Sequence, residues 1–599
     1  MTAASAQGAR VALIGPRETP FESDRDLEYR EQMLKSYGEV FADIAAPGAD
    51  YTVSREFLGI EYLASALRRA GAEVLVISAS NEDVTGAELM RRLAPFAPHL
   101  VGLSLLYDLQ LVSALTLARD IRDAWPGTKV VVGGPLGSAI ADLLLQNFPS
   151  IDGVVLGEGE TAIVALAAAI VDGAALDDVP SLVHRRDGAI LRNPRAAPVD
   201  LSTLAHPSRD VIASLLGRGL PVPSAYLTLS RGCKAFCTFC TVPHIVRGMK
   251  EQVYRARSAG DVVDEIEDVV TTYGIRRFYM ADDNFLGYGE ESNLRMLAFA
   301  DEVIRRGLDI NFHAECRVDS LVRGTVVRLR EAGFDQILFG LESGSQKTLK
   351  RWAKGQTVGQ NEAAVALARE LRLDIMPSMI LLDWESGTDE VEESVAFIER
   401  NRLHHLGQPL WLVNKLKVHC GTAAAQRYDN VHGRPVPPPL TGTDSSLRAW
   451  AASVTYQGIR IDDPHVAAFW SALNAEANRW STLVDAVIPA LLRIVATERR
   501  RTEPEARLRL VRDIARIRRS IGDGVAGLMR VLIDSARAAE QARRPLPDLA
   551  GVARDFVLSW ERSVLGDDFD RFLGNADFRL RGGSHRPPAT RRTAARPAA

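Results

Sequence analysis

Leu229-Ser230-Arg231-Gly232-Cys233-Lys234-Ala235-Phe236-Cys237-Thr238-Phe239-Cys240 is the stretch that decides this chain, because its cysteines are spaced C-x3-C-x2-C. Three thiolates this close can hold three irons of a 4Fe–4S cube and leave the fourth iron open to a small molecule. Clusters that only carry electrons usually take four cysteines, so three point to chemistry at iron. Zinc is the alternative, with His244 as the nearby fourth ligand.

The rest of the chain is consistent with a reducing compartment. Five cysteines in 599 residues, with Cys316 and Cys420 standing alone, do not make a disulfide framework. A hydrophobic fraction of 46% and a charged fraction of 25% are those of a soluble globular protein. The net charge of −4 gives no field for nucleic acid. Met1–Arg10 has no apolar run, so no signal peptide is expected there. The longest apolar stretch, near Ala162–Val171, is too short to span a bilayer. A cytoplasmic location is the expectation.

Upstream of the cysteines, residues 1–175 alternate strand and helix. Strands are expected at Arg10–Gly15, Glu73–Ile77, Leu100–Leu106, Lys129–Val132 and Gly153–Leu156, with helices at Leu58–Arg69 and about Thr161–Val171. Continuous Val, Leu and Ile runs between helices indicate a parallel sheet covered on both faces. Its ligands would lie at the carboxyl ends of the strands. Gly133-Gly134 and Gly157-Glu158-Gly159-Glu160 follow two of those ends, where glycine permits close approach of a bulky ligand or simply a tight turn.

Residues 176–224, with Pro180, Pro194, Pro198, Pro207, Pro221 and Pro223, read as a connector with short strands. Residues 225–427 repeat the alternation, with strands near 226–229, 277–280, 310–315, 336–339, 375–381 and 412–418. Six βα units fit a partial parallel barrel whose reacting groups sit at the C-terminal strand ends. Residues 428–580 read as mostly helical. Leu508, Val511, Ile514, Ile517 and Ile521 form an apolar stripe, and Thr502-Glu503-Pro504-Glu505 a capping box. Residues 581–599 read as a disordered tail. No internal repeat is found.

The cysteine motif, with Phe239 before its last cysteine, resembles the radical S-adenosylmethionine (SAM) superfamily. Phe278-Tyr279-Met280-Ala281-Asp282-Asp283-Asn284-Phe285 resembles that family's second strand, Glu315-Cys316-Arg317-Val318-Asp319 its third, and Phe339-Gly340-Leu341-Glu342-Ser343-Gly344-Ser345-Gln346 with Lys354-Gly355-Gln356-Thr357 its fourth. Residues 1–175 resemble the cobalamin-binding domain found upstream of many such barrels, through Ser104-Leu105-Leu106, Gly133-Gly134 and Gly157-Glu158. The fold implied is α/β: a Rossmann-like cobalamin-binding domain, a partial (βα)6 barrel and a helical C-terminal domain.

The resemblance implies a 4Fe–4S cluster on Cys233, Cys237 and Cys240, with SAM on its open iron. It implies Phe239 near the adenine, Asp282 and Glu342 toward the ammonium and ribose, and Arg317 and Ser343 toward the carboxylate or ribose. Ser104, Leu106, Gly133, Gly134, Gly157 and Glu158 would hold cobalamin. The D-x-H-x-x-G element of many cobalamin domains is absent: the loop reads Pro16-Arg17-Glu18-Thr19-Pro20-Phe21. Cobalamin without a histidine lower ligand follows. The frequent glycine-proline turn after the fifth barrel strand is replaced by Leu382-Asp383-Trp384-Glu385.

The implied activity is a radical SAM methyltransferase acting on a carbon of a small-molecule or peptide-derived intermediate in antibiotic or other natural-product biosynthesis. Cyclisation or rearrangement with the same cofactors is the alternative, as is non-radical methylation of the tryptophan C2 type. A cobalamin-binding module without catalysis is the remaining one. An RNA methylthiotransferase is excluded, since it needs three more cysteines upstream and none precedes Cys233. The catalytic side chains are not legible. Trp384, Trp411, Trp450, Trp470 and Trp480 read as core or as an aromatic pocket. A flavodoxin or ferredoxin is the expected electron donor, with no nucleic acid, no membrane and a monomeric chain.

Overall fold

The computed structural model describes residues 5–18, 56–220, 222, 224–245, 253–406, 412–482 and 504–560. Thr19–Phe21, Pro221, Pro223, Trp411, Thr502, Glu503 and the tail from Arg581 lie outside these residues, as do the side chains of His244, Trp480, Leu508, Val511, Ile514 and Ile517. Two compact units result. Among the described residues, the first takes 5–18, 56–380 and 415–460, and the second 381–406, 412–414, 461–482 and 504–560.

In the first unit, β1 (Arg10–Gly15), β2 (Glu73–Ser78), β3 (Leu100–Ser104), β4 (Lys129–Gly133) and β5 (Gly153–Val155) form a parallel sheet in the order β2-β1-β3-β4-β5. Val11, Leu13, Leu100 and Val131 pack against helices Leu58–Arg69 and Glu160–Asp172 in one apolar core. The expected connector contributes two strands to this sheet. β6 (Leu182–Arg186) pairs antiparallel with β5, and β7 (Ala189–Arg192) with β6. Leu182 and Val183 are buried, and their strand covers an edge that β5 would otherwise leave open.

The barrel sheet is parallel in the order β14-β13-β12-β11-β8, from β8 (Ala225–Leu227), β11 (Arg277–Met280), β12 (Asn311–Cys316), β13 (Phe334–Glu342) and β14 (Asp374–Met379). Among the described residues it has five strands, and in the expected sixth only Lys415 forms an isolated bridge. The expected sixth, Leu412–Val418, makes no ladder; the Leu381 N–H reaches the Asn414 carbonyl (2.7 Å), one bond where a strand needs a series. Along the strands the two faces differ in kind. Phe312 and Phe334 stack at 5.3 Å with Phe285 and Phe299 beside them on the helix-covered face. Tyr226, Tyr279 and His313 lie in one rung on the other.

A short antiparallel pair, β9 (Ser230–Arg231) with β10 (Arg255–Ala256), brackets the cysteine loop. Deeper in the unit, buried charges join the first sheet's helix to the barrel. Arg209 Nη1 lies 2.7 Å from Glu56, and its Nη2 pairs with Glu265. Glu265 also takes Arg257 at 2.5 Å, and Glu56 accepts the Tyr226 N–H at 2.7 Å. Burial, then the neighbouring Glu56, raises the Glu61 carboxyl well above its usual range.

In the second unit, helices Thr388–Arg400, Pro464–Thr482, Pro504–Gln541 and Leu549–Trp560 pack together. Val525, Leu528, Met529, Leu532 and Ile533 give the long helix its buried stripe. The Leu382–Glu385 turn is held by Asp383, whose Oδ1 accepts the Glu385 N–H (3.0 Å) and the Ser386 hydroxyl (2.8 Å). No helix among the described residues is long and apolar enough to cross a membrane.

Removing the guanidinium in Arg209→Leu leaves Glu56 buried without its cation and Glu265 with Arg257 alone. A stability loss of about 3–5 kcal/mol is expected, read as a lower urea midpoint at pH 7. An unchanged midpoint would show that the network carries no net stability.

Candidate functional site

The cysteine loop leaves β8 on a platform built by β11. Asp282 accepts the N–H of Leu229 (3.2 Å) and of Ser230 (2.5 Å) together with the Ser230 hydroxyl, and Asp283 accepts the Gly232 N–H at 2.9 Å. Burial raises the Asp282 carboxyl to about 7 against the opposing pull of these hydrogen bonds. The expectation that Asp282 reaches toward SAM meets a different geometry: both its oxygens are engaged in shaping the loop.

Cys233 and Cys237 are buried and Cys240 half-buried, none of them in a disulfide. Cys233 Sγ lies 2.8 Å from the Tyr288 hydroxyl, and Arg317 Nη1 lies 3.5 Å from Cys237 Sγ. Burial pushes the Cys240 thiol up to about 12, and Cys237 and Cys233 oppose its ionisation further. Burial also raises the Cys237 thiol, so a cluster's irons would offset the cost of ionising these two sulfurs, and three cysteines on one loop fit an iron–sulfur cluster.

Around them, Arg317 is held by Asp319 (2.9 and 2.7 Å) and donates to the Lys354 carbonyl (2.6 Å). Glu342 ends β13 in the left-handed region at φ 62°, beside a shift in the β13–β14 register. Its Oε1 takes Lys354 Nζ at 2.6 Å, both side chains being buried. Lys354 Nζ also sits 5.9 Å from the centre of the Phe239 ring, which meets Trp352 edge-on at 5.7 Å. Ser343 is fully buried and accepts the Ser345 N–H at 3.0 Å. Lys354 is thus the residue that joins Phe239, Glu342 and Arg317. The sequence offered it only as part of Lys354-Gly355-Gln356-Thr357, without a role.

The inner face of the sheet carries a second missed group. The Tyr279 hydroxyl donates to Glu315; its ring stacks on His313 at 4.6 Å and meets Tyr226 edge-on at 4.7 Å. Burial, then the Glu315 charge, raises the Tyr279 phenol far above its usual range. Burial lowers His313 to about 4, so that its imidazole is neutral near pH 7. Tyr226, Tyr279 and His313 alternate with buried apolar residues on successive parallel strands. That alternation is the signal that would have found them.

Across from the loop stand the C-terminal ends of the first sheet. Ser104 pairs in register with Gly133, and Leu105 exchanges hydrogen bonds with Gly133 and Leu136 (2.9 and 3.1 Å). Leu106 projects its half-exposed side chain from the same loop, its N–H on Gln110 (2.8 Å). Gly134 adopts φ 89°, and a Cβ there would lie 2.6 Å from the Leu105 carbonyl oxygen. The sequence suggests that bulk at Gly134 would strike a ligand; in the structure it strikes the β3 loop first.

The Gly157 N–H donates to Ser138 Oγ at 3.1 Å. Glu158 is clamped by Arg255 and Arg231, whose attraction outweighs the cost of burial and holds its carboxyl low. A cleft of about 180 Å3 opens between Gly134, Ser138 and Gly157 on one side and Arg231, Arg255 and Asp283 on the other. Gly134 and Gly157 leave backbone open on its sheet side, which fits a ligand laid on the strand ends. His99 precedes β3, and His184 pairs with Gly153 at the start of β5, so both lie at the opposite end of the sheet.

Cys316 is buried on β12, and Cys420 donates to the Val454 carbonyl at 2.7 Å, burial pushing it up to about 12. Both behave as core residues. Trp384 and Trp450 are buried too, Trp450 against Phe148 at 4.8 Å.

Two family models match this chain, the B12 binding domain over residues 55–167 and the radical SAM superfamily over residues 227–398. An uncharacterised methyltransferase of Pyrococcus horikoshii is 28% identical over 57% of this chain and 73% of its own length. An anaerobic magnesium-protoporphyrin IX monomethyl ester cyclase of Rubrivivax gelatinosus is 24% identical over 57% of this chain and 61% of its own. The cobalamin-dependent SAM radical enzyme OxsB, solved with aqua-cobalamin and SAM, has the same fold, with a TM-score of 0.67 at 17% identity. That likeness covers 96% of this chain and 81% of OxsB.

Cys237→Ala should lower the iron of anaerobically reconstituted protein from about four per chain, the content of one cube, to near zero, with the brown colour lost. A single zinc in the wild type and no iron would reverse the assignment.

Proposed function

From its place among the cobalamin-dependent radical SAM enzymes of the methyltransferase type, we propose that this chain methylates a carbon of a small-molecule or peptide-derived intermediate in natural-product biosynthesis. The observation that carries the reading is one cleft with two kinds of wall. Arg231, two residues before Cys233, is salt-bridged to Glu158 and Glu160 of the first sheet, so the cysteine loop faces the glycine ends of that sheet. When bound, the cluster with SAM supplies a hydrogen-abstracting radical, and cobalamin supplies the methyl group.

The chain's own residues have distinct tasks in this reading. Cys233, Cys237 and Cys240 hold the cluster, and Asp282 and Asp283 fix their loop. Arg317 keeps a positive charge beside Cys237. Phe239, Glu342, Ser343 and Lys354 form the wall against which SAM is oriented. Ser104, Leu106, Gly133, Gly134, Gly157 and Glu158 form the cobalamin side. No histidine serves as lower ligand there, since His99 and His184 stand at the far end of the sheet and the loop after β1 contains none. On the barrel's inner side Glu315 can take a proton, while the Tyr279 phenol, held protonated and donating to it, orients the carboxylate. A flavodoxin or ferredoxin as electron donor, a monomer and a cytoplasmic location complete the proposal.

A second reading keeps the cofactors and changes the outcome to cyclisation or rearrangement. It is favoured by the cyclase name of one relative.

Products separate the readings. Each turnover should yield one S-adenosylhomocysteine, one 5′-deoxyadenosine and one added CH2 in the product, quantified by mass spectrometry. Deoxyadenosine without added mass would establish rearrangement. Added mass without deoxyadenosine would establish the non-radical tryptophan C2 type of methylation. Neither, across substrates and reductants, would leave a binding module.

A further inference from the structure

The second unit gathers three metal-binding side chains that the chemistry above does not use: His404, His405 and Asp523. The histidines occupy the 3-10 turn Leu403–His405, which follows helix Thr388–Arg400. Asp523 belongs to the long helix Pro504–Gln541. The helix approaches the turn this closely because residue 522 is glycine. A Cβ there would lie 2.0 Å from the His404 carbonyl oxygen, which backbone cannot yield.

The approach converges the donor atoms. His405 Nε2 lies 2.6 Å from Asp523 Oδ1, and His404 Nε2 lies 3.5 Å from the same oxygen. The two imidazoles are 4.2 Å apart and inclined at 68°, so their nitrogens aim at one point from two directions. All three donor atoms fall within 4.8 Å of one another. Zinc bonds to imidazole and carboxylate are about 2.0–2.2 Å long, which places two ligands of one ion roughly 3–3.5 Å apart. The His404–Asp523 spacing already matches. Asp523 is exposed, so the closer His405 contact can open by the small amount required.

Two further observations favour a cation over ordinary hydrogen bonds. A single carboxylate oxygen serves both rings, so one imidazole is left with a poor partner. His404 is largely buried, so its Nε2, 3.5 Å from the shared oxygen, has little water to replace a better partner. His405 and Asp523 leave the site open to solvent for entry.

We propose that His404, His405 and Asp523 bind one divalent transition metal ion, with water at the open position, and that the ion pins helix Pro504–Gln541 to the turn Leu403–His405. Two neutral imidazoles and a carboxylate form a borderline donor set suited to zinc and its neighbours. No cysteine takes part, so the ion is chemically separate from the iron of Cys233, Cys237 and Cys240.

The test uses the reconstituted holoprotein dialysed against micromolar zinc, with zinc and iron counted together by plasma mass spectrometry. Wild type should hold one zinc per chain beyond its iron. His405→Ala and Asp523→Asn should each lose at least nine-tenths of that zinc while keeping all their iron, and the iron shows that the variant has folded. The zinc-dependent rise in melting temperature should vanish with it. No zinc in the wild type, or equal zinc in both variants, would overturn the proposal.

Discussion

Arg231 is the interaction on which the site depends. It sits in β9, two residues before the first cysteine, and its half-buried guanidinium pairs with Glu158 and Glu160. Burial alone would disfavour its charge; the two carboxylates more than reverse that. A guanidinium withdrawn this far from water is costly unless its carboxylates are in place. The cysteine loop and the glycine ends of the first sheet are therefore held in one relation. Arg255 repeats the device from the strand that pairs with β9, by holding Glu158 as well.

The barrel is organised around the same requirement for fixed charges. Asp282 and Asp283 spend their oxygens on backbone N–H groups at the foot of the loop. The Lys354–Glu342 pair is sealed inside, with Glu342 held in a backbone region that few side chains adopt. Strain and buried charge of this kind persist only where the surroundings over-determine them. Both lie beside Phe239 of the cysteine loop.

The inner and outer faces of the barrel sheet divide the labour. Phe312 and Phe334, with Phe285 and Phe299, pack the outer face, where burial stabilises the fold. Tyr226, Tyr279, His313 and Glu315 occupy the inner face, where titratable groups have no structural need to be. Their presence there is what gives the inner face a chemical reading.

Much was legible in the sequence. C-x3-C-x2-C is a local spacing, and ligand spacing within one loop needs no fold to be read. The strands β1, β2 and β4 and helix Leu58–Arg69 follow from short-range periodicity, and the structure places them within a residue or so of their expected bounds. The alternating α/β architecture follows from the same pattern. What the tertiary structure decided is which groups meet. Tyr279 finds Glu315 across 36 residues, and His405 finds Asp523 across 118. Asp282 turns to the loop rather than outward, β6 and β7 join the sheet, and Leu412–Val418 stays out of it. Each of these outcomes depends on register and on close approach, and a one-residue slip sends a side chain to the opposite face. Periodicity records which residues are apolar, but it carries no information about their distant partners.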